Sequence, residues 1–189
     1  MPAPPKTTDT QIIQATRRLV EIEGRDGFSM NDVAAAVGIR APSLYGRFKD
    51  RADLLAAVEL HVCADFENLL SKSIIANNPG ATLMAQAQAV RAFAKRNPNS
   101  YSLLFDIRSV PTEEGTAARA AAVAPLLAPL AALVGEGHAL AAARVLTPFV
   151  HGFVSMELAN AFRLGDGLDA AFEKGVTTIL RGLSVSFHV

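Results

Sequence analysis

Three observations predict an all-α fold. Alanine, the strongest helix former, supplies 34 of the 189 residues. No stretch of five or more residues alternates β-branched and polar side chains, so the period-two strand signal is missing. Glycine and proline recur at intervals that cut the chain into about nine helix-length segments. The length allows one or two domains and burial of roughly 70 % of the unfolded surface.

The elements follow from local signals. Residues 1 to 8 are rich in Pro and Thr and are expected to lack regular structure. Thr8 or Asp9 caps a first helix ending near Ile22, with Ile12, Ala15, Leu19 and Ile22 as its apolar face. Gly24 and Gly27 stop it. Ser29-Met-Asn-Asp32 has capping-box spacing and opens a short helix with Val33, Ala34 and Val37 inward. Gly38 ends that helix. Pro42 suits the first turn of the next, where its missing N–H is not needed, and that helix runs to about Phe48. Asp50 caps a long fourth helix with Asp53 at the third position. Asn77-Asn-Pro-Gly80 and Asn97-Pro-Asn99 break the chain, leaving helices at about 82–96 and 100–109. Pro111 and Gly115 mark a loop. A seventh helix at 116–134 carries Pro125 and Pro129, and Pro129 kinks or divides it. Two final helices, 139–164 and 168–184, are split by Gly165-Asp-Gly167.

Composition excludes several classes. Eighteen cations balance eighteen anions, so there is no general pull toward nucleic acid or membrane. The longest apolar run, Ala120 to Val134, has two prolines and falls short of the roughly 20 residues of a membrane span. No membrane partner is expected. The first ten residues have no apolar secretory core, and the single Cys63 forbids an intrachain disulfide, so a reducing cytoplasm is expected. Four histidines scattered at 61, 138, 151 and 188 argue against metal, and no cofactor motif occurs. Enzyme chemistry lacks its parts. No Ser sits in a Gly-x-Ser-x-Gly elbow, His61 and Asp65 have no third ligand, and Glu113-Glu114 point to opposite sides of the backbone. Cys63 reads as a small buried hydrophobe.

The chemistry concentrates at residues 29–48, two short helices joined by a tight turn, which is helix-turn-helix spacing. The second helix exposes Arg40, Ala41, Ser43, Gly46 and Arg47, with Leu44 and Phe48 inward and Tyr45 between. Lys49 and Arg51 follow. Residues 40–51 hold four cations and one anion, whereas the rest of 1–60 holds four cations and seven anions. The cations therefore gather on the helix that would face DNA. Small side chains at 41, 43 and 46 let the backbone approach a groove. Arg40 and Arg47 can reach guanine edges or phosphates, and Ser29 adds a contact at a helix start.

The run Gly38-Ile-Arg-Ala-Pro-Ser-Leu-Tyr-Gly-Arg-Phe-Lys-Asp-Arg-Ala-Asp-Leu-Leu55, preceded by Phe28-Ser-Met-Asn-Asp-Val-Ala-Ala-Ala-Val37, resembles the helix-turn-helix of the TetR family of bacterial transcriptional regulators. The family usually has His at the place of Arg47 and Lys at the place of Arg51. Both substitutes keep a donor for phosphate. Phe149-Val-His-Gly-Phe-Val-Ser-Met-Glu-Leu158 is similar to a TetR subclass with a Trp-His-Gly signature, with Val150 in place of the tryptophan. The resemblance implies a DNA-binding domain at 9–60, with its motif at about 29–48, and an effector-binding and dimerising body at 61–189. It implies a homodimer that binds a palindromic double-stranded operator and is released by a small-molecule effector, most simply as a repressor. The alternatives are an architectural or activator protein without effector, and a helical enzyme or carrier.

The body is rich in Leu, Val and Phe, so the effector is expected to be mainly apolar. Its cavity is expected to be lined by Phe93, Tyr101, Phe105, Phe149, His151, Phe153 and Met156. Stripes of small residues suggest where helices meet closely. Pro148, Gly152, Ser155 and Ala159 form one, and Ala171, Gly175, Thr178 and Gly182 another, flanked by Phe172 and Ile179. The stripes serve packing within one subunit or, as the resemblance implies, a four-helix bundle across a two-fold axis.

Overall fold

The computed structural model describes residues 7–106 and 112–186. Among them are ten α-helices and no strand. The predicted end of the sixth helix near residue 109 and the Pro111 breaker lie outside the described residues. Two compact units result: Met1–Ala64 with Asn97–Arg119, and Asp65–Arg96 with Ala120–Val189. A single cut near residue 60 was expected. In the structure Asn97–Arg119 also groups with the first unit.

In the first unit, α1 (Asp9–Glu23) starts at Thr8, whose side chain and that of Gln11 form a full capping box. Ile12, Ala15, Thr16 and Val20 are buried, but Ile22 is 74 % exposed. The apolar face is therefore rotated toward Val20, away from the expected Ile22. α2 (Met30–Ala36) has the expected box between Ser29 and Asp32, and these hydrogen bonds hold the Asp32 carboxyl below its usual range. The turn after it requires Gly38, which sits at φ +69°. There the Ile39 amide reaches the Ala34 carbonyl at 3.0 Å and the Gly38 amide the Ala35 carbonyl at 3.2 Å, closing a Schellman motif. α3 (Ala41–Tyr45) is shorter than expected, because its last amides bond in a tightening turn from Gly46 to Phe48. α4 (Arg51–Lys72) opens with the Asp53 amide on the Asp50 carboxylate at 2.9 Å. Val33, Leu44, Leu54 and Val58 are fully buried and form the core with Ile12 and Val20.

α6 (Pro98–Leu103) also belongs to this unit and packs on α1. Asn97 gives it no side-chain cap. Glu21 of α1 does so in trans. Its carboxylate accepts from the Asn99 amide at 2.9 Å, the Ser100 amide at 3.0 Å and the Ser100 hydroxyl at 2.6 Å. Arg17 reaches the Ser100 hydroxyl at 3.4 Å, and Arg25 pairs with Asp106 at 2.6 Å. Arg17 and Glu21, four apart on α1, thus hold the start of α6, and Arg25 just past α1 holds the residue Asp106 beyond its end.

In the second unit, α5 (Pro79–Arg96), α8 (Leu127–Val134), α9 (Ala139–Leu158) and α10 (Leu168–Ser186) pack on one another. Asn78 bonds the Ala81 amide, so Asn78-Pro79 starts α5 three residues earlier than expected. α7 (Glu113–Val123) ends in a 3-10 turn at Ala124–Leu126 before α8. The division falls at Pro125, not Pro129, because Pro129 lies in the first turn of α8, where a proline is tolerated. The buried Gln86 amide donates to the carbonyl of Pro125 in that turn and to that of Leu70, each at 3.1 Å. α9 runs unbroken through Pro148 and stops at Leu158, six residues before the expected end. Asn160 at φ +50° closes it in a second Schellman motif, with the Ala161 amide 2.9 Å from the Met156 carbonyl. By length and composition alone, 113–134 and 136–158 could cross a membrane, although the first is interrupted at the 3-10 turn.

Candidate nucleic-acid interface

Leu44 and Phe48 anchor α3 in the core, at 0 % and 8 % exposure. Their burial turns the opposite side outward. Arg40, Pro42, Ser43, Tyr45, Gly46, Arg47 and Lys49 are exposed, and Ala41 is half-buried. Tyr45 is 53 % exposed, so its hydroxyl is free to reach a phosphate while Leu44 holds the backbone. A Cβ at Gly46 would meet nothing closer than 3.6 Å, so glycine there serves close approach rather than backbone strain. Arg40 and Lys49 make no side-chain bond among the described residues.

The other two cations of the cluster are committed. Arg51 donates from Nε to the Phe28 carbonyl at 3.0 Å and from Nη2 to the Arg25 carbonyl, and lies 4.7 Å over the Phe28 ring. It also pairs with Asp26 at 3.3 Å. The guanidinium ties the start of α4 to the α1–α2 loop. Arg47 donates from Nε to Asp9 at 2.5 Å and from Nη1 to the Thr7 carbonyl at 2.6 Å. Ser29 is exposed, but its hydroxyl is turned onto Asp32 at 2.6 Å. Asp9 was missed by sequence reasoning. Nothing local links it to a residue on another helix.

The expected effector residues fall in both units. Tyr101 and Phe105 belong to the first unit and stack edge-on at 5.2 Å. Burial raises the Tyr101 hydroxyl well above its usual range. Phe93, Phe149, His151, Phe153 and Met156 belong to the second. Phe93 packs on Phe66 at 5.9 Å, and Met156 is 47 % exposed on the surface. Phe149, Phe153, Phe162 and Phe172 form one cluster, with ring centroids 4.8–6.3 Å apart. Arg91 of α5 lies over Phe172 at 5.0 Å, pairs with Glu157 at 2.6 Å and with Asp169 at 2.8 Å. His151 is half-buried, which lowers its pKa and favours the neutral ring. Cys63 is buried, which raises its thiol pKa.

The small-residue stripes divide between two uses. A Cβ at Gly175 would overlap the Phe149 ring, so that glycine serves packing between α9 and α10 inside the unit. Phe172 is fully buried and is not available to a partner, correcting its expected place in an interface. Gly152 and Gly182 have nothing within 4 Å of an added Cβ. Ala171 is exposed, Ser155 and Ile179 are half-exposed, and Ala159 lies past the end of α9 as its cap.

Residues 12–58 match the description "Bacterial regulatory proteins, tetR family", and residues 83–179 match "Tetracyclin repressor-like, C-terminal domain". The chain belongs to the TetR family. It is a transcription regulator with a DNA-binding helix-turn-helix. An uncharacterized HTH-type transcriptional regulator of Mycobacterium tuberculosis is 28 % identical over 182 residues, covering 95 % of this chain and 83 % of the relative. Among solved structures, a protein of unknown function from Rhodococcus sp. RHA1 superposes with a TM-score of 0.85 at 20 % identity, covering 97 % of this chain and 99 % of that one. A TetR variant from Acinetobacter baumannii AYE, solved with minocycline, superposes with a TM-score of 0.69 at 22 % identity, covering 96 % and 99 %. Both likenesses support the TetR fold.

Proposed function

We propose that this TetR-family regulator is a ligand-responsive repressor that binds a palindromic operator as a dimer. The observation that carries the reading is α3: a short helix pinned by Leu44 and Phe48 with Arg40, Ser43, Tyr45 and Lys49 turned outward. Arg40 reads a base edge and Tyr45 and Lys49 hold phosphates, while Ala41, Ser43 and Gly46 allow the approach. Ser29 sits at the start of α2, where a phosphate meets the positive end of the dipole.

A second copy supplies the second α3. Gly152 and Gly182 leave room for close approach, and Leu140, Val145 and Val185 are 49–69 % exposed on α9 and α10. Burying such side chains favours association by about 25 cal/mol per Å². The effector is mainly apolar and acts on the second unit around the half-buried Phe149, Phe153 and Phe162, with His151 as a polar handle. Its binding lowers operator affinity by a coupling free energy of about 1–3 kcal/mol.

Selection from random duplex DNA tests the reading. Wild-type protein is expected to enrich inverted repeats, and a variant carrying Arg40→Ala with Tyr45→Phe is expected to enrich none. Enrichment of no sequence by the wild type, or equal enrichment by the variant, would overturn it.

A further inference from the structure

We infer that Asp9 sets the strength of DNA binding by withholding Arg47 from the phosphate backbone. The inference rests on the DNA-binding reading above and adds to it a residue outside the helix-turn-helix.

Arg47 directly follows the Gly46 cap of α3 and, like Tyr45, is exposed. Its guanidinium is nevertheless turned back onto α1. Nε–H donates to the Asp9 carboxylate at 2.5 Å, and Nη1–H donates to the Thr7 carbonyl at 2.6 Å. Asp9 is the first residue of α1 and its side chain is 63 % exposed; that of Arg47 is 28 % exposed. Both charges therefore face water. A phosphate offers Arg two parallel charge-assisted bonds instead of one. The two bonds, one to a carboxylate and one to a carbonyl, hold the guanidinium on α1, and while they persist Arg47 displaces no counterion from the duplex. Arg40 and Lys49, with no such partner among the described residues, are the cations ready to do so. Asp9 is in this sense a built-in competitor for one phosphate.

The salt dependence of binding reads this directly. Each phosphate neutralised steepens the slope of log affinity against log salt by about 0.9. Asp9→Asn keeps the size of the side chain and removes the charge that holds Arg47. The variant is expected to gain about 0.9 in slope, and so to bind a duplex about eight-fold more tightly at 0.1 M salt if the two proteins converge near 1 M. The gain is expected to vanish when Arg47→Ala is also present, because no cation is left to release. The measurement is fluorescence anisotropy of a labelled duplex with wild type, both single variants and the double variant, from 0.05 to 0.4 M salt. Circular dichroism melting of each confirms that the head is folded. Binding by Asp9→Asn no tighter than wild type would overturn the inference. So would a gain that persists in the double variant, since Asp9 would then act through its own field and not through Arg47. Wild type that binds no duplex at any salt would instead sink the DNA-binding reading beneath it, and the inference with it.

Discussion

Glu21→Ala is expected to loosen the first unit where α6 meets α1, by an amount that follows from the contacts. The Glu21 carboxylate accepts three hydrogen bonds from α6: the Asn99 amide, the Ser100 amide and the Ser100 hydroxyl. Ser100 is fully buried, so its orphaned donors have no water to turn to. A buried donor left without its acceptor costs about 1–3 kcal/mol, and bonds to a charged group lie toward the upper end. Three such bonds do not add fully, because they share one carboxylate and the backbone relaxes. A loss of about 3 kcal/mol is expected. Glu21→Gln keeps one acceptor oxygen, and about half that loss is expected. Urea unfolding followed by circular dichroism gives the stability, and amide exchange at Asn99 and Ser100 locates the effect. A loss below about 0.5 kcal/mol, with the Ser100 amide still protected, would refute the reasoning that Glu21 caps α6.

Three further outcomes follow from the packing. Glu157 is held below the usual carboxylate range, chiefly by the Arg91 guanidinium. A depressed carboxyl contributes stability above its unfolded pKa and loses it as pH falls through the folded value. The wild type is therefore expected to lose stability as pH drops below about 4.5, and Glu157→Gln to show a flatter acid limb in calorimetric melts. Gly175→Leu overlaps the Phe149 ring and is expected to destabilise the monomer by about 1–3 kcal/mol or more, whereas Gly182→Leu, which faces open space within the chain, is expected to leave the fold intact and yield monomer in sedimentation. Arg51→Ala removes the bonds to Phe28 and Arg25 and the stacking on Phe28, so it is expected to lower the melting temperature of the head, unlike Arg40→Ala.

The helices were legible where the signal is local. Thr8, Ser29 and Asp50 cap the helices they were expected to cap, and Gly38 turns the chain where it should. Errors arose where a local signal had two meanings. Asn78-Pro79 reads as a breaker but also starts a helix. Pro125 and Pro129 look alike in sequence; only the phase of α8 makes one a division and the other a first-turn residue. The exposed side of α3 was readable because two apolar anchors fix its rotation. The partners of Arg47 and Arg51 were not, because Asp9 and the Phe28 carbonyl reach them only through the fold. For the same reason the aromatic residues looked alike in sequence, although Phe172 is interior and Phe105 is 40 % exposed.

Hydroxyl-radical footprinting on a selected inverted repeat tests the central claim most directly. A dimer that lays two copies of α3 in successive major grooves protects two patches centred about 10–10.5 base pairs apart, or a whole multiple of that. Both patches are expected to vanish together when Arg40→Ala and Tyr45→Phe are combined. A single patch, two patches out of phase with the helical repeat, or protection unchanged in that double variant would contradict the account.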